Sequence, residues 1–256
     1  MRMAVDKTKY RIGKTFISRT NPSDAIRRVT DAAVNHRGGY VCVSNMRMLN
    51  YAAENPEFNQ LMTASFMNWP DGRPLAWCGR IWGLKDVECT RGPSIFMKVM
   101  SSPVTGLKHF LFGDTQEVLD EIVAKYPDAG IVGVYSPPFV PLEEFDFEGI
   151  ASLIKESGAN VVWTAMTAPK QDEFDRKLME FLPEVVAIGV GRAFRLSVDR
   201  VKDAPGWAQK AGVGGMFIGK SSKARLVWWY LKKTLVMMGY FLSILYKRIR
   251  RTNYYE

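Results

Sequence analysis

The sequence predicts an α/β fold: a mostly parallel sheet flanked by helices, followed by a helical C-terminal appendage. Three observations predict it. Short apolar, β-branched runs alternate with amphipathic stretches of helical period, turn-forming residues separate them, and the connections have the length of crossovers rather than hairpins. Such an order buries a parallel sheet on both faces. With 47% apolar residues among 256, the chain holds material for one sizeable core and an appendage.

Taken in order, residues 24–35 read as a helix capped by Ser23. The turn His36-Arg37-Gly38-Gly39 leads into a buried strand at 40–44. Residues 107–112 form a strand that ends in Gly113-Asp114-Thr115 and feeds a helix at 116–125. A strand at 131–135 is stopped by Ser136-Pro137-Pro138, and a helix at 147–155 and a strand at 160–166 follow. After Ala168-Pro169 come a helix at 170–182 and a strand at 185–190. The α/β domain is expected over 1–215 and the appendage over 216–256.

Charge is unevenly placed. The net charge is +9, yet from Lys220 onward nine basic residues face one acid, Glu256, which leaves 26 basic and 25 acidic residues before it. The excess therefore sits in a short segment rich in Trp, Tyr, Leu and Met, which suits an anionic membrane surface and argues against nucleic acid. Residues 1–14 hold no apolar run, so no secretory signal is expected there, and three scattered cysteines, Cys42, Cys78 and Cys89, form neither a disulfide framework nor a zinc spacing. A reducing cytosol is the expected setting.

In open parallel sheets, ligands bind beyond the carboxyl ends of the strands. Here those positions are Asn45, Asp71, Gly113-Asp114, Ser136-Pro137-Pro138, Pro169-Lys170-Gln171 and residues 189–195. Neither histidine, His36 nor His109, has a metal-ligating neighbour, and His109 lies inside a predicted strand, where it reads as a satisfied core or edge residue. General-base chemistry thus falls to a carboxylate. Asp146 reads as an acid favoured by a helix N-terminus. Asp71, between turn formers and ahead of a helical pattern, reads either as a helix cap or as a functional acid. Lys170 and Gln171 stand at a strand end and helix start suited to a phosphate or a sugar. Gly189-Val190-Gly191 lacks the third glycine of a dinucleotide loop, so nicotinamide chemistry is not expected.

From about Gly38 to about Leu231 the chain resembles the WecG/TagA/CpsF family of glycosyltransferases. The resemblance rests on Val41-Cys42-Val43-Ser44-Asn45, Asn55-Pro56-Glu57-Phe58, Pro70-Asp71-Gly72-Arg73-Pro74-Leu75, Gly92-Pro93 and Phe110-Leu111-Phe112-Gly113. It continues through Val134-Tyr135-Ser136-Pro137-Pro138-Phe139, Pro169-Lys170-Gln171, Gly189-Val190-Gly191 and Ala204-Pro205-Gly206-Trp207. The resemblance implies a Rossmann-like core, a UDP-sugar donor, no metal or other cofactor, and transfer with inversion to a polyprenol-diphosphate-linked saccharide. It implies Asp71 as general base, and substrate contacts from Asn45, Arg91, Gly113, Pro138, Lys170, Gln171, Gly191, Arg195 and Arg225. Arg195 replaces a carboxylate common in the family, and Val213-Gly214-Gly215 replaces an acidic pattern. A second reading follows from these departures: a catalytically impaired nucleotide-sugar-binding partner in polysaccharide assembly.

The expected location is the cytoplasmic face of the inner membrane, as a peripheral protein; homo-oligomer formation is compatible with the sequence. Residues 226–246 are apolar, but Lys232 and Lys233 interrupt them, so an interfacial helix is expected rather than a spanning one, with an apolar helix packed on the body or on another subunit as the alternative.

Overall fold

A computed structural model describes residues 7–212, 223–250 and 252–253, except the side chains of residues 223–234. Strands β1 (Lys9–Ile12) and β2 (Thr15–Ser18) form an antiparallel hairpin. Then follow α1 (Pro22–Val34), β3 (Gly39–Ser44), α2 (Met46–Glu54), α3 (Pro56–Ala64), β4 (Met67–Pro70), α4 (Arg73–Ile81) and α5 (Gly92–Ser101). Next come β5 (His109–Gly113), α6 (Gln116–Lys125), β6 (Ile131–Tyr135), a 3-10 turn (Leu142–Glu144), α7 (Phe147–Ser157), β7 (Val161–Ala165), α8 (Lys170–Leu178) and β8 (Val186–Gly189). Helices α9 (Ala193–Ser197), α10 (Gly206–Lys210) and α11 (Lys223–Ile249) complete the described elements.

The main sheet has six strands, all parallel, in the order β4-β3-β8-β7-β5-β6. Strand alternation sends successive side chains to opposite faces. On one face Tyr40, Cys42, Phe110, Phe112, Val162 and Ala187 pack beneath α2, α3, α4, α7 and α8. On the other, Val41, Leu111, Trp163 and Ile188 meet Phe96 of α5 and Phe194 of α9. Phe112 stacks on Phe174 at 4.6 Å between centroids, and complete burial of such a side chain contributes about 1.5–3 kcal/mol.

Two expectations are corrected. The cap of α1 is Asn21, whose side chain accepts from the Asp24 N–H; Ser23 lies inside the helix because Pro22, which lacks an N–H, already occupies the first turn. Helix α8 stops at Leu178, four residues short of the expected end. His109 is a buried core residue: its Nδ1 accepts from Trp163 Nε1 at 3.1 Å, and burial pushes its pKa down to about 4. Asp146 caps α7 by accepting from the Gly149 N–H.

Helix α11 packs on α4 through Ile244, with Tyr240 and Phe241 against the same core, and Arg248 donates to the Ile81 carbonyl at 2.7 Å. Its opposite side leaves Leu235, Met238, Leu242, Leu245 and Ile249 exposed. Among the described residues, no helix is long and apolar enough to cross a membrane. The side chains of Arg225, Lys232 and Lys233, and the stretch Val213-Gly214-Gly215, lie outside the described residues.

Candidate active site

The carboxyl edge of the sheet gathers most of the residues singled out by sequence. Asp71 follows β4 directly. Its N–H donates to the Ser44 carbonyl at 2.8 Å, which ties it to the end of β3, and the Thr90 N–H donates to the Pro70 carbonyl at 2.9 Å. Asp71 is not a helix cap: Gly72 holds that position for α4, and no side chain makes the cap bond. Nor does any described residue donate a hydrogen bond to its carboxylate, which is partly exposed. Burial pushes its pKa up to about 6; Arg91 opposes the rise, Asp203 adds to it and Arg192 opposes it. A carboxyl group with that pKa is largely ionised at neutral pH and retains more basicity than an ordinary aspartate.

Arg91 lies at the N-terminus of α5, where it donates to Gln209 Oε1 at 2.6 Å and to both oxygens of Asp203 at 3.0 Å. This ion pair anchors the segment around α10 beside Asp71. Asp203 also accepts from the Ala204 N–H at 2.8 Å and from Gln209 Nε2 at 3.1 Å.

At the sheet centre, Gln171 Oε1 accepts from the Gly191 N–H at 2.8 Å and the Met166 N–H at 3.2 Å, joining the ends of β7 and β8. The fit is tight: a Cβ on Gly189 would lie 2.3 Å from Gln171 Nε2. Gly113, at φ +115°, lets β5 end against β7, where a Cβ would meet the Ala165 carbonyl oxygen at 2.7 Å.

Other expected contacts are engaged within the protein. Asn45 caps α2, accepting from the Arg47 N–H at 2.9 Å. Lys170 donates to the Val140 carbonyl and lies over Phe145 at 4.8 Å, fixing the loop in which Pro138 is exposed. Arg195 grips Asp114, its Nε 2.9 Å and its Nη2 2.9 Å from the carboxylate, whose side chain is only 6% exposed. The unusual cation is thus matched by an equally local acid. Asp114 and Arg192 fall in the strand-end segments visible in sequence without standing out there. Asp203 lies outside those segments and carries no sequence signal of its own, although it immediately precedes Ala204-Pro205-Gly206-Trp207.

Comparison with known proteins agrees with this architecture. Residues 10–253 match the glycosyl transferase WecG/TagA/CpsF family. An N-acetylglucosaminyldiphosphoundecaprenol N-acetyl-beta-D-mannosaminyltransferase of Bacillus subtilis (strain 168) is 23% identical over 225 residues, covering 85% of this chain and 83% of its own. A protein of the same description from Bacillus spizizenii (strain ATCC 23059 / NRRL B-14472 / W23) is 24% identical over 175 residues, 66% of each chain. With the match spanning nearly the whole chain, this protein belongs to the WecG/TagA/CpsF family of glycosyltransferases.

Proposed function

We propose that this glycosyltransferase moves a sugar from a UDP-sugar to a polyprenol-diphosphate-linked saccharide, with inversion, and that Asp71 is its general base. The observation that carries the reading is the Asp71 carboxylate, which no described residue hydrogen-bonds, standing at the carboxyl edge of a parallel sheet with a pKa of about 6. Inversion requires one carboxylate to take the acceptor hydroxyl's proton as the oxygen attacks the anomeric carbon. The relatives' names, which specify a diphosphoundecaprenol-linked acceptor, support a lipid-linked acceptor here. The fixed turns around Gln171 and Gly191 suit the nucleotide end of the donor.

The same reading puts the protein at the cytoplasmic face of the inner membrane. The apolar residues exposed along α11, together with Lys247 and Arg250 at its end, suit an anionic interface, where each cation near the surface contributes about 1 kcal/mol. Flotation with anionic liposomes, before and after deletion of residues 225–256, tests this; loss of binding on deletion is expected, and equal flotation of both forms would contradict it.

The transfer itself is tested by incubating the protein with a panel of UDP-sugars and a polyprenol-diphosphate-linked N-acetylglucosamine. Turnover with at least one donor is expected. Binding without turnover across the panel would favour the impaired-partner reading. Arg195 lends that reading little, because Asp114 takes up its charge.

A further inference from the structure

We infer that Arg192 is, among the described residues, the cation that receives the donor's diphosphate as it leaves. The inference rests on the transfer proposed above and names a residue that the family resemblance does not mark. Most cations at the carboxyl edge are engaged: Arg91 by Asp203 and Gln209, Lys170 by the Val140 carbonyl, Arg195 by Asp114, and Arg47 by the Ala168 carbonyl. Arg73 makes no hydrogen bond with a described residue but is exposed to water.

Arg192 differs from all of these. Its side chain is only 31% exposed, and none of its N–H groups hydrogen-bonds a described residue. The nearest acid, Asp203, is 3.7 Å away, beyond hydrogen-bond length, and already accepts from Arg91, Gln209 and the Ala204 N–H. A guanidinium keeps its charge and its five donors at any working pH, and donors held part-way out of water call for a partner. An anion with several acceptor oxygens meets that need, and a diphosphate is such an anion.

Position agrees with chemistry. Arg192 follows the turn after β8, the strand that lies between β3 and β7, and the Gly191 N–H bond to Gln171 fixes that turn. Its charge acts on the Asp71 carboxylate, after the larger effects of burial, Arg91 and Asp203, so cation and acid stand at the same edge of the sheet. In the transfer, the acceptor hydroxyl gives its proton to Asp71 while its oxygen bonds to the anomeric carbon. The bond from that carbon to the diphosphate oxygen breaks, and its electron pair leaves with the nucleoside diphosphate. Arg192 donates to the oxygens on which that charge gathers, and Asp71 afterwards releases the proton to water.

The test titrates UDP by calorimetry and uridine by saturation-transfer NMR into the unaltered protein, Arg192→Gln and Arg192→Lys. Arg192→Gln is expected to weaken UDP binding about 10- to 100-fold, the range for charge-assisted hydrogen bonds, at unchanged uridine binding. Arg192→Lys is expected to retain part of the affinity. Equal UDP affinity in Arg192→Gln would overturn the assignment and leave the transferase reading intact. Failure of the unaltered protein to bind UDP would overturn both.

Discussion

Replacing Asp71 by asparagine keeps the side chain's shape and removes its ability to take a proton. Because no described residue hydrogen-bonds the carboxylate, the substitution breaks no hydrogen bond among the described residues, and the melting temperature is expected to stay nearly unchanged. Loss of a positioned general base costs about 100- to 10,000-fold in rate, or about 3–5 kcal/mol of transition-state stabilisation. The pH profile sharpens the test. With a pKa of about 6, Asp71 is about 90% ionised at pH 7 and about 10% at pH 5, so kcat/KM for the unaltered enzyme should fall about tenfold between them. The sign is that of a base: activity appears as pH rises through the pKa. Residual activity of Asp71→Asn should lack this limb. The assay is release of UDP from donor and acceptor at fixed ionic strength across pH 5 to 8. Turnover of Asp71→Asn within a few-fold of the unaltered enzyme, or persistence of the same acidic limb, would refute the reasoning.

Arg91→Met removes the stronger of the two cations that hold the Asp71 pKa down and leaves the nearby Asp203 charge with only the more distant Arg192 as counterion among the described residues; the acidic limb should move to higher pH in the same assay. Arg195→Ala leaves an Asp114 carboxylate that is 6% exposed with only the Thr115 N–H as donor among the described residues, while the arginine itself is half exposed, so a loss of about 1–2 kcal/mol is expected in urea unfolding. Gly189→Ala places a methyl 2.3 Å from Gln171 Nε2 and forces the amide off the Met166 and Gly191 N–H groups. Weaker UDP binding in calorimetry and about 1–3 kcal/mol lower stability are expected.

The fold was legible where period and turn chemistry coincide. Helix α6 and strand β6 span the same residues expected from sequence, because Gly113-Asp114-Thr115 and Ser136-Pro137-Pro138 punctuate amphipathic and β-branched runs. The β1–β2 hairpin was not legible: only Tyr10 and Ile12 alternate inward in a four-residue strand shared with Lys9 and Arg11. Such a short pattern carries little signal beside charged neighbours. At the site, the strand-end rule located Asp71, Gln171 and Gly191. It did not reveal that Arg91 would pair with Asp203, 112 residues away, or that Arg195 would find Asp114, 81 residues away. Those pairings depend on which strands become neighbours in the sheet, and local periodicity does not encode strand order. Likewise Lys170, read from sequence as a phosphate or sugar contact, donates to the carbonyl of Val140, 30 residues away.

The most direct measurement is a structure of the protein holding an unreactive UDP-sugar analogue together with a lipid-shortened diphosphate-sugar acceptor. The Asp71 carboxylate should lie within about 3 Å of the attacking hydroxyl, on the side of the anomeric carbon opposite the diphosphate. An acceptor hydroxyl bonded to some other side chain, with Asp71 turned away from the reacting carbon, would contradict the account.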